Sequence, residues 1–323
     1  MKIAITGANG FLGSHLVNSC LACGHETIAL VRSGANLSRL QEDKRLIIRT
    51  INYQSSQELK NSIRKLKDEF DSFECIIHNA GLTVSTDSNE YYRVNVGLTE
   101  LLLKETSSFG LLHKQGKWIQ ISSYAAHGPE NHNSPVSSYG KSKRDAESIV
   151  EKSGYDYQIY RPTGIYGSGD LAFLPLFQTA KFGIYPLLAP IDQKISMIHG
   201  YDVAFNIVKN IQGFKKQRII HLSDGKIYSH QDFKRAIEQA MNKKLKMISI
   251  PNHLVGGWLR LSDFISKKTK MHPGVTLEKF HEISQNWNLK ENKDLFHPEL
   301  DCRYDLFSGF KEAYQYYKSV NLL

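Results

Sequence analysis

The stretch KIAITGANGFLGSHL, Lys2 to Leu16, decides how the rest of the chain is read. KIAIT (Lys2–Thr6) is a short apolar run suited to a buried strand, and the residues from about Phe11 to Cys23 suit a helix. Between them stand Gly7, Gly10 and Gly13. Glycines after a strand and at the opening of a helix permit a tight turn, close approach of the backbone to a pyrophosphate, and close helix–strand contact. The helix N-terminus adds unbonded N–H groups and a partial positive charge that face the phosphates. A plain structural turn is the alternative, and the strand–turn–helix setting weighs against it.

Outward from that turn, β-rich runs alternate with amphipathic ones. TIALV (Thr27–Val31), RLIIRTI (Arg45–Ile51), ECIIHNAG (Glu74–Gly81), KWIQISS (Lys117–Ser123) and YQIYRP (Tyr157–Pro162) predict strands. Helices are predicted over Gln57–Phe70, as one long helix through VNVGLTELLLKETS (Val94–Ser107), and after Tyr139. Strands separated by helices at this interval imply right-handed βαβ units and a parallel sheet, and the near-continuous apolar strands imply helices on both faces. The second half is less regular. Gly167 to Pro190 is rich in Leu, Phe, Tyr and Pro, and helical patterns follow near 229–241, 252–268 and 311–318. The expected fold is α/β: a doubly wound parallel sheet with a smaller, mainly helical C-terminal substrate lobe. Residues 1–166 form the nucleotide half with 196–222 returning to it, and 167–195 with 223–323 form the lobe.

Composition narrows the function classes. The 323 residues suffice for this architecture, and 41% apolar with 23% charged residues is usual for a soluble globular protein. The net charge of +9 comes from 41 Lys and Arg against 32 Asp and Glu. RSGANLSR, KKQR, NKKLK and SKKTK are short and separated, so the excess reads as a solvated surface, part of it serving an anionic cofactor, and not as a nucleic-acid footprint. The start lacks a charged n-region and a cleavage site, and no run approaches about 18 apolar residues; a cytoplasmic protein without membrane insertion is expected. Cys20 and Cys23 form C-x-x-C inside the first helix, while Cys75 and Cys302 stand apart, so packing thiols and no metal site are expected.

Three positions carry chemistry. At the end of the second strand an Asp or Glu usually binds the ribose hydroxyls of NAD, but ALVRSGANLSRL offers Arg32 and then Arg39. A guanidinium suits a 2′-phosphate by charge and fork geometry, which favours NADP over NAD; two solvent arginines in a loop are the alternative. Ser122 and Ser123 end the fifth strand, where open α/β sheets bind ligands. Tyr139 and Lys143 lie one turn apart on one helical face, so the lysine could favour the phenolate and tune a proton donor.

Taken in order, the motifs resemble the extended short-chain dehydrogenase/reductase family, also named the NAD-dependent epimerase/dehydratase superfamily, along nearly the whole chain. They are T-G-x-x-G-x-x-G (Thr6–Gly13), HNAG (His78–Gly81), VNVGLTELLL, ISSYAAHG (Ile121–Gly128), Y-x-x-x-K and RPTGIYGSGD (Arg161–Asp170), then IHGYDVA (Ile198–Ala204) and SGFKEAYQYYK (Ser308–Lys318). The resemblance implies a Rossmann-type sheet, with Gly7, Asn9, Gly10, Phe11, Leu12 and Gly13 around the pyrophosphate. Ala80 and Gly81 would line the adenine-ribose side, and Pro162, Thr163 and Ile165 the nicotinamide side. Tyr139 would be the acid/base and Lys143 its partner and ribose ligand. Ser123 would orient the reacting oxygen in preference to Ser122, and Asn95 would support the site. The family often forms dimers through the helices beginning near Asn89 and Tyr139, so a homodimer is expected.

The departures select a branch. SSY (Ser122–Tyr124) stands where dehydratases resemble TDE, so the acid that expels water is absent. Ile195 and Ser196 stand where sugar-nucleotide epimerases carry an arginine, with only Lys194 nearby, and Tyr201 replaces the family's first Asp. VRSGANLSRL with ISMIH is closer to the branch resembling dihydroflavonol reductases and 3β-hydroxysteroid dehydrogenases. LAFLPLFQTAKFGIYPLL (Leu171–Leu188) suits a less polar substrate, or alternatively a buried cap helix. Asn52 would replace an aspartate at the adenine. The expectation is an NADP-preferring oxidoreductase acting on a carbonyl or secondary alcohol of a small molecule. A sugar-nucleotide epimerase with bound NAD and a non-catalytic cofactor sensor are the alternatives.

Overall fold

The computed structural model describes residues 1–130, 133–213, 215–250, 276–289, 295 and 300–323. The helical pattern read near 252–268 lies outside these. Seven parallel strands form the main sheet: β1 (Lys2–Thr6), β2 (Glu26–Val31), β3 (Leu46–Thr50), β4 (Phe73–His78), β5 (Leu112–Ile121), β6 (Asp156–Pro162) and β10 (Arg218–Leu222). Their order is β10-β6-β5-β4-β1-β2-β3. The chain runs outward from β1 on one side and returns to begin again at β4, so the crevice above the β1/β4 junction is where such sheets bind ligands.

Both faces of the sheet are covered, as the unbroken apolar strands require. On one face α1 (Phe11–Ala22) and α7 (Gly200–Asn210) bury Leu16, Val17, Val203 and Ile207 against Ile3, Ile5 and Ile77. On the other, α2 (Ser56–Phe70), α4 (Leu98–Phe109) and α5 (Ser138–Glu151) enclose Leu59, Ile63, Leu102, Val150 and fully buried Trp118. A separate core, with Phe177, Phe233, Phe310 and Tyr317, joins α6 (Leu174–Ala180), α8 (His230–Met241) and α10 (Leu306–Ser319). Two parallel pairs flank this core: β7 (Gly164–Tyr166) with β9 (Met197–His199), and β8 (Ile184–Leu187) with β11 (Lys246–Ser249). Much of the apolar stretch Leu171–Leu188 therefore packs here as α6 and β8, with Phe177, Ala180, Tyr185 and Leu187 buried.

Two differences from the sequence reading bear on the site. β5 ends at Ile121, which leaves Ser122 and Ser123 just beyond the strand. The single long helix expected through Val94–Ser107 is interrupted: α3 (Ser88–Tyr91) passes through a π-helical turn at Tyr92–Gly97 before α4 begins. Such a turn inserts a residue into the helical ladder and re-aims a side chain, here Asn95.

Candidate active site

Tyr139 owes its position to a cap and a close approach. Ser137 holds an extended backbone and accepts from Gly140 N, so α5 starts at Ser138 and Tyr139 lies in its first turn. A Cβ on Gly140 would stand 2.4 Å from the Ala125 carbonyl oxygen, so only glycine lets α5 press against the 3-10 turn Tyr124–Ala126. That contact sets the Ser123 hydroxyl beside the Tyr139 phenol. Burial drives the phenol pKa well above its ordinary value, and the neighbouring Ser123 hydroxyl opposes the rise. At neutral pH the group is a protonated donor.

Lys143 is 7% exposed, and its Nζ donates to the Ile121 carbonyl at 2.7 Å. Desolvation lowers its pKa to about 8, and Glu147 works against that fall. The lysine is not among the charges that act on Tyr139, so its expected lowering of the phenol is not the governing effect in this structure; burial is. One of the ammonium's three donors is used on a backbone oxygen of β5.

The two serines separate cleanly. Ser122 donates to Glu147, which also pairs with Arg161; both side chains of that pair are under a tenth exposed. Ser123 is the one that faces Tyr139. Asn95 is buried and doubly tied: its Oδ1 accepts from Leu82 N at 2.8 Å, and its Nδ2 donates to Leu82 O at 3.0 Å and Ser142 Oγ at 2.9 Å. Ser142 Oγ in turn donates to Tyr139 O at 2.8 Å. The π-turn thus holds the loop after β4 against the first turn of α5.

A buried relay links this region to the glycine turn. Thr6 Oγ1 accepts from Asn79 N at 3.1 Å and Ala80 N at 3.0 Å, so its own proton points to His78 Nδ1 at 2.8 Å. Thr99 Oγ1 donates to Asn95 O at 2.7 Å, leaving it to accept from His78 Nε2 at 3.1 Å. These partners assign the His78 proton to Nε2. Burial, with the charge of Lys143 adding, lowers the imidazole pKa to about 3 and keeps it neutral.

The glycine turn has the form an anionic cofactor needs. Gly10 precedes α1 and no side chain caps that helix, so its first N–H groups stay open, and no acidic residue stands in its first turn. A Cβ on Gly13 would lie 2.0 Å from Gly7 O, which makes glycine obligatory there. Asn9 Nδ2 reaches Asn36 O at 3.2 Å, Phe11 sets its ring edge-on to His15, and Leu12 sends its side chain into the core. Ala80 follows the relay in the backbone. A Cβ on Gly81 would lie 3.1 Å from Asn95 Oδ1 and 3.6 Å from Lys143 Nζ, so Gly81 lines the same cleft as Lys143. Pro162 closes β6, Thr163 N donates to Leu222 O at 2.9 Å, and Ile165 sits in β7. The Thr163 hydroxyl is buried with no partner, an orphan of the kind a bound group would satisfy.

The residues read for the far end of a dinucleotide divide. Arg32 is exposed beyond β2. Arg39 does not extend beside it: its Nη2 donates to Gly169 O at 2.9 Å, across the mouth of the cleft. Asn52 Oδ1 accepts from Gln54 N at 2.9 Å, which makes a local turn after β3. Ile195 is bonded through its backbone to Tyr228, and Ser196 N donates to Trp287 O.

One element has no local signal in the sequence. Helix α9 (Leu277–Ile283) lies against the start of α5: Ser137 donates to Glu282, Glu278 accepts from Ser138 N, and Lys279 Nζ stands 5.0 Å from the Tyr139 ring centroid. These partners are up to 145 residues apart, and no short-range pattern reveals such a contact.

The comparisons agree with this geometry. The model of the NAD dependent epimerase/dehydratase family matches residues 3–222. A ceramide reductase of Caulobacter vibrioides is 28% identical over 325 residues, covering 99% of this chain and 96% of that protein. A 3 beta-hydroxysteroid dehydrogenase/Delta 5-->4-isomerase of Vaccinia virus (strain Ankara) is 30% identical, covering 55% of this chain and 56% of that one. Among solved structures, a UDP-glucuronic acid 4-epimerase from Bacillus cereus in complex with NAD and a substrate analogue superposes with a TM-score of 0.73 at 19% identity, covering 99% of this chain and 100% of that one. At that identity the likeness shows the fold. With the glycine turn, the seven-stranded sheet and a family match over most of its length, the chain belongs to the NAD dependent epimerase/dehydratase family.

Proposed function

We propose that the protein is an NADP-preferring oxidoreductase that interconverts a carbonyl and a secondary alcohol on a small apolar, lipid-like substrate. The observation that carries the reading is the grouping of Ser123, Tyr139 and Lys143 at the carboxyl ends of the strands. The open N-terminus of α1, the Gly13 cradle and the orphaned Thr163 hydroxyl fit a dinucleotide. When bound, the nicotinamide supplies or accepts the hydride. Residues 1–166 with 196–222 would hold it, and 167–195 with 223–323 would form the substrate lobe.

In this reading Ser123 donates to the substrate oxygen and Tyr139, kept protonated by burial, delivers the proton when that oxygen becomes an alcohol. Lys143, charged below about pH 8, supplies the positive charge that steadies the phenolate left behind and bonds a ribose hydroxyl. Asn95 and Ser142 hold the loop and the helix that carry these groups. Arg32 has no acidic neighbour at the end of β2, which supports a 2′-phosphate over a bare ribose. The ceramide reductase and the hydroxysteroid dehydrogenase, by name, support a lipid-like carbonyl or alcohol.

Titration with NADPH and NADH, followed by nicotinamide fluorescence for wild type and Arg32→Ala, tests the cofactor. NADPH should bind about tenfold tighter, and Arg32→Ala should erase the gap. Turnover on long-chain ketones should fall by about 100-fold or more in Tyr139→Phe while cofactor binding persists. Equal binding of NADH overturns the NADP preference. Interconversion of a UDP-sugar with no net redox change overturns the reductase reading in favour of an epimerase.

A further inference from the structure

We infer that the substrate lobe carries a docking surface for an anionic lipid bilayer, built on the β8/β11 pair. Phe182 is 81% exposed, the most exposed large hydrophobic side chain among the described residues. It sits in the turn between α6 and β8. Side chains alternate along β8, so Ile184 and Pro186 share one face while Tyr185 and Leu187 are buried on the other, and Phe182 stands in the turn just before the strand. The parallel register pairs Ile184 with Lys246 and Pro186 with Ile248, so Lys246 and Ile248 join that outer face; Ile248 is 39% exposed. A partly exposed apolar face on β8 and β11 thus adjoins the turn that carries the exposed phenylalanine.

The lysines at that end complete the pattern. Lys243 Nζ donates to the Lys181 carbonyl, and Lys246 N donates to Gly183 O at 2.8 Å, so NKKLK (Asn242–Lys246) is folded against the Lys181–Gly183 turn. Lys181, Lys243, Lys244 and Lys246 are all exposed. None forms an ion pair among the described residues. The nearby Glu238 carboxylate is taken by Lys234 and Leu245 N. Fragments separate in the sequence become one cationic rim around an aromatic tip. That combination matches a negatively charged interface: the ring enters the headgroup region and the ammonium groups remain with the lipid phosphates. Among the described residues no helix is long and apolar enough to cross a membrane, so the contact is peripheral.

Sedimentation of the full chain with phosphatidylcholine vesicles, with and without phosphatidylglycerol, tests the inference. Binding is expected only with phosphatidylglycerol. It should be lost as ionic strength rises from about 0.1 M to about 1 M, where the screening length falls from about 10 Å to about 3 Å. Phe182→Ser and the combined variant Lys181→Glu/Lys243→Glu/Lys244→Glu should each weaken binding by about tenfold or more, and Phe182→Trp should retain it. Unchanged melting temperatures show that these variants remain folded. Failure to bind anionic vesicles, or binding indifferent to both variants, overturns the inference. Weakening by charge reversal alone, with Phe182→Ser unaffected, identifies a general polyanion surface and overturns it as well. The readout does not involve turnover, so the surface and the reductase reading stand or fall separately.

Discussion

The two walls of the cleft are held by different physics. On the sheet side, Gly13 meets the backbone of the turn, and Thr6, His78, Thr99 and Asn95 exchange buried hydrogen bonds in which each donor has one acceptor. On the lobe side, α9 meets α5 through the charged groups Glu278, Lys279 and Glu282. Steric fit and satisfied neutral bonds give the first wall one arrangement, because any departure leaves a clash or an orphan. On the second wall Glu282 is buried, but Glu278 and Lys279 are partly exposed, so water competes for their bonds and these constrain the wall less strongly. The catalytic candidates stand on the rigid wall, and the element beside Tyr139 comes from the softer one.

The largest test of this contrast removes a buried charge partner on the sheet side. Glu147→Leu strands the Arg161 guanidinium and leaves Ser122 without its acceptor, and should cost about 3–5 kcal/mol in denaturant unfolding. A loss below about 1 kcal/mol would mean that the pair is better hydrated than its burial indicates. Next, Gly13→Ala forces a Cβ against Gly7 O and should cost about 1–3 kcal/mol while abolishing dinucleotide binding, read by calorimetry.

A smaller effect concerns acid. His78 holds a folded pKa of about 3 against an ordinary 6.5, so between those values the unfolded chain binds more protons. Stability from this group is full above about pH 6.5 and is lost as pH falls toward 3. His15, lowered to about 4, acts in the same sense. Melting temperatures measured from pH 7 to pH 4 should fall, and less steeply in His78→Gln. The smallest effect belongs to the lobe side. Glu282→Gln should cost about 1 kcal/mol or less, and it removes a negative charge that raises the Tyr139 pKa. The alkaline limb of the pH–rate profile should therefore move to lower pH. An unmoved limb would mean that α9 does not communicate with the phenol.

What was legible followed from local rules. The strands of the sheet, the glycine turn, the position of α5 and the family were readable because each depends on periodicity, a cap or a spacing of a few residues. Between the two serines, the structure shows that Ser122 donates to Glu147. At Arg39, Asn52 and Lys143 the fold adds neighbours that the chain pattern does not show: Gly169 O, Gln54 N and Ile121 O engage them. Sequence shows what a side chain offers, and the fold decides which neighbour takes it.

By itself, the sequence determined the parallel sheet, the glycine turn and the family, because glycine sterics and hydrophobic periodicity act within a few residues. Only the tertiary structure decided the π-turn that aims Asn95, the His78 relay, the placement of α9 over Tyr139 and the gathering of Lys181 with Lys243, Lys244 and Lys246 around Phe182. Each of these depends on groups far apart in the chain, and their meeting is fixed by how the two cores pack and not by any pattern along the backbone.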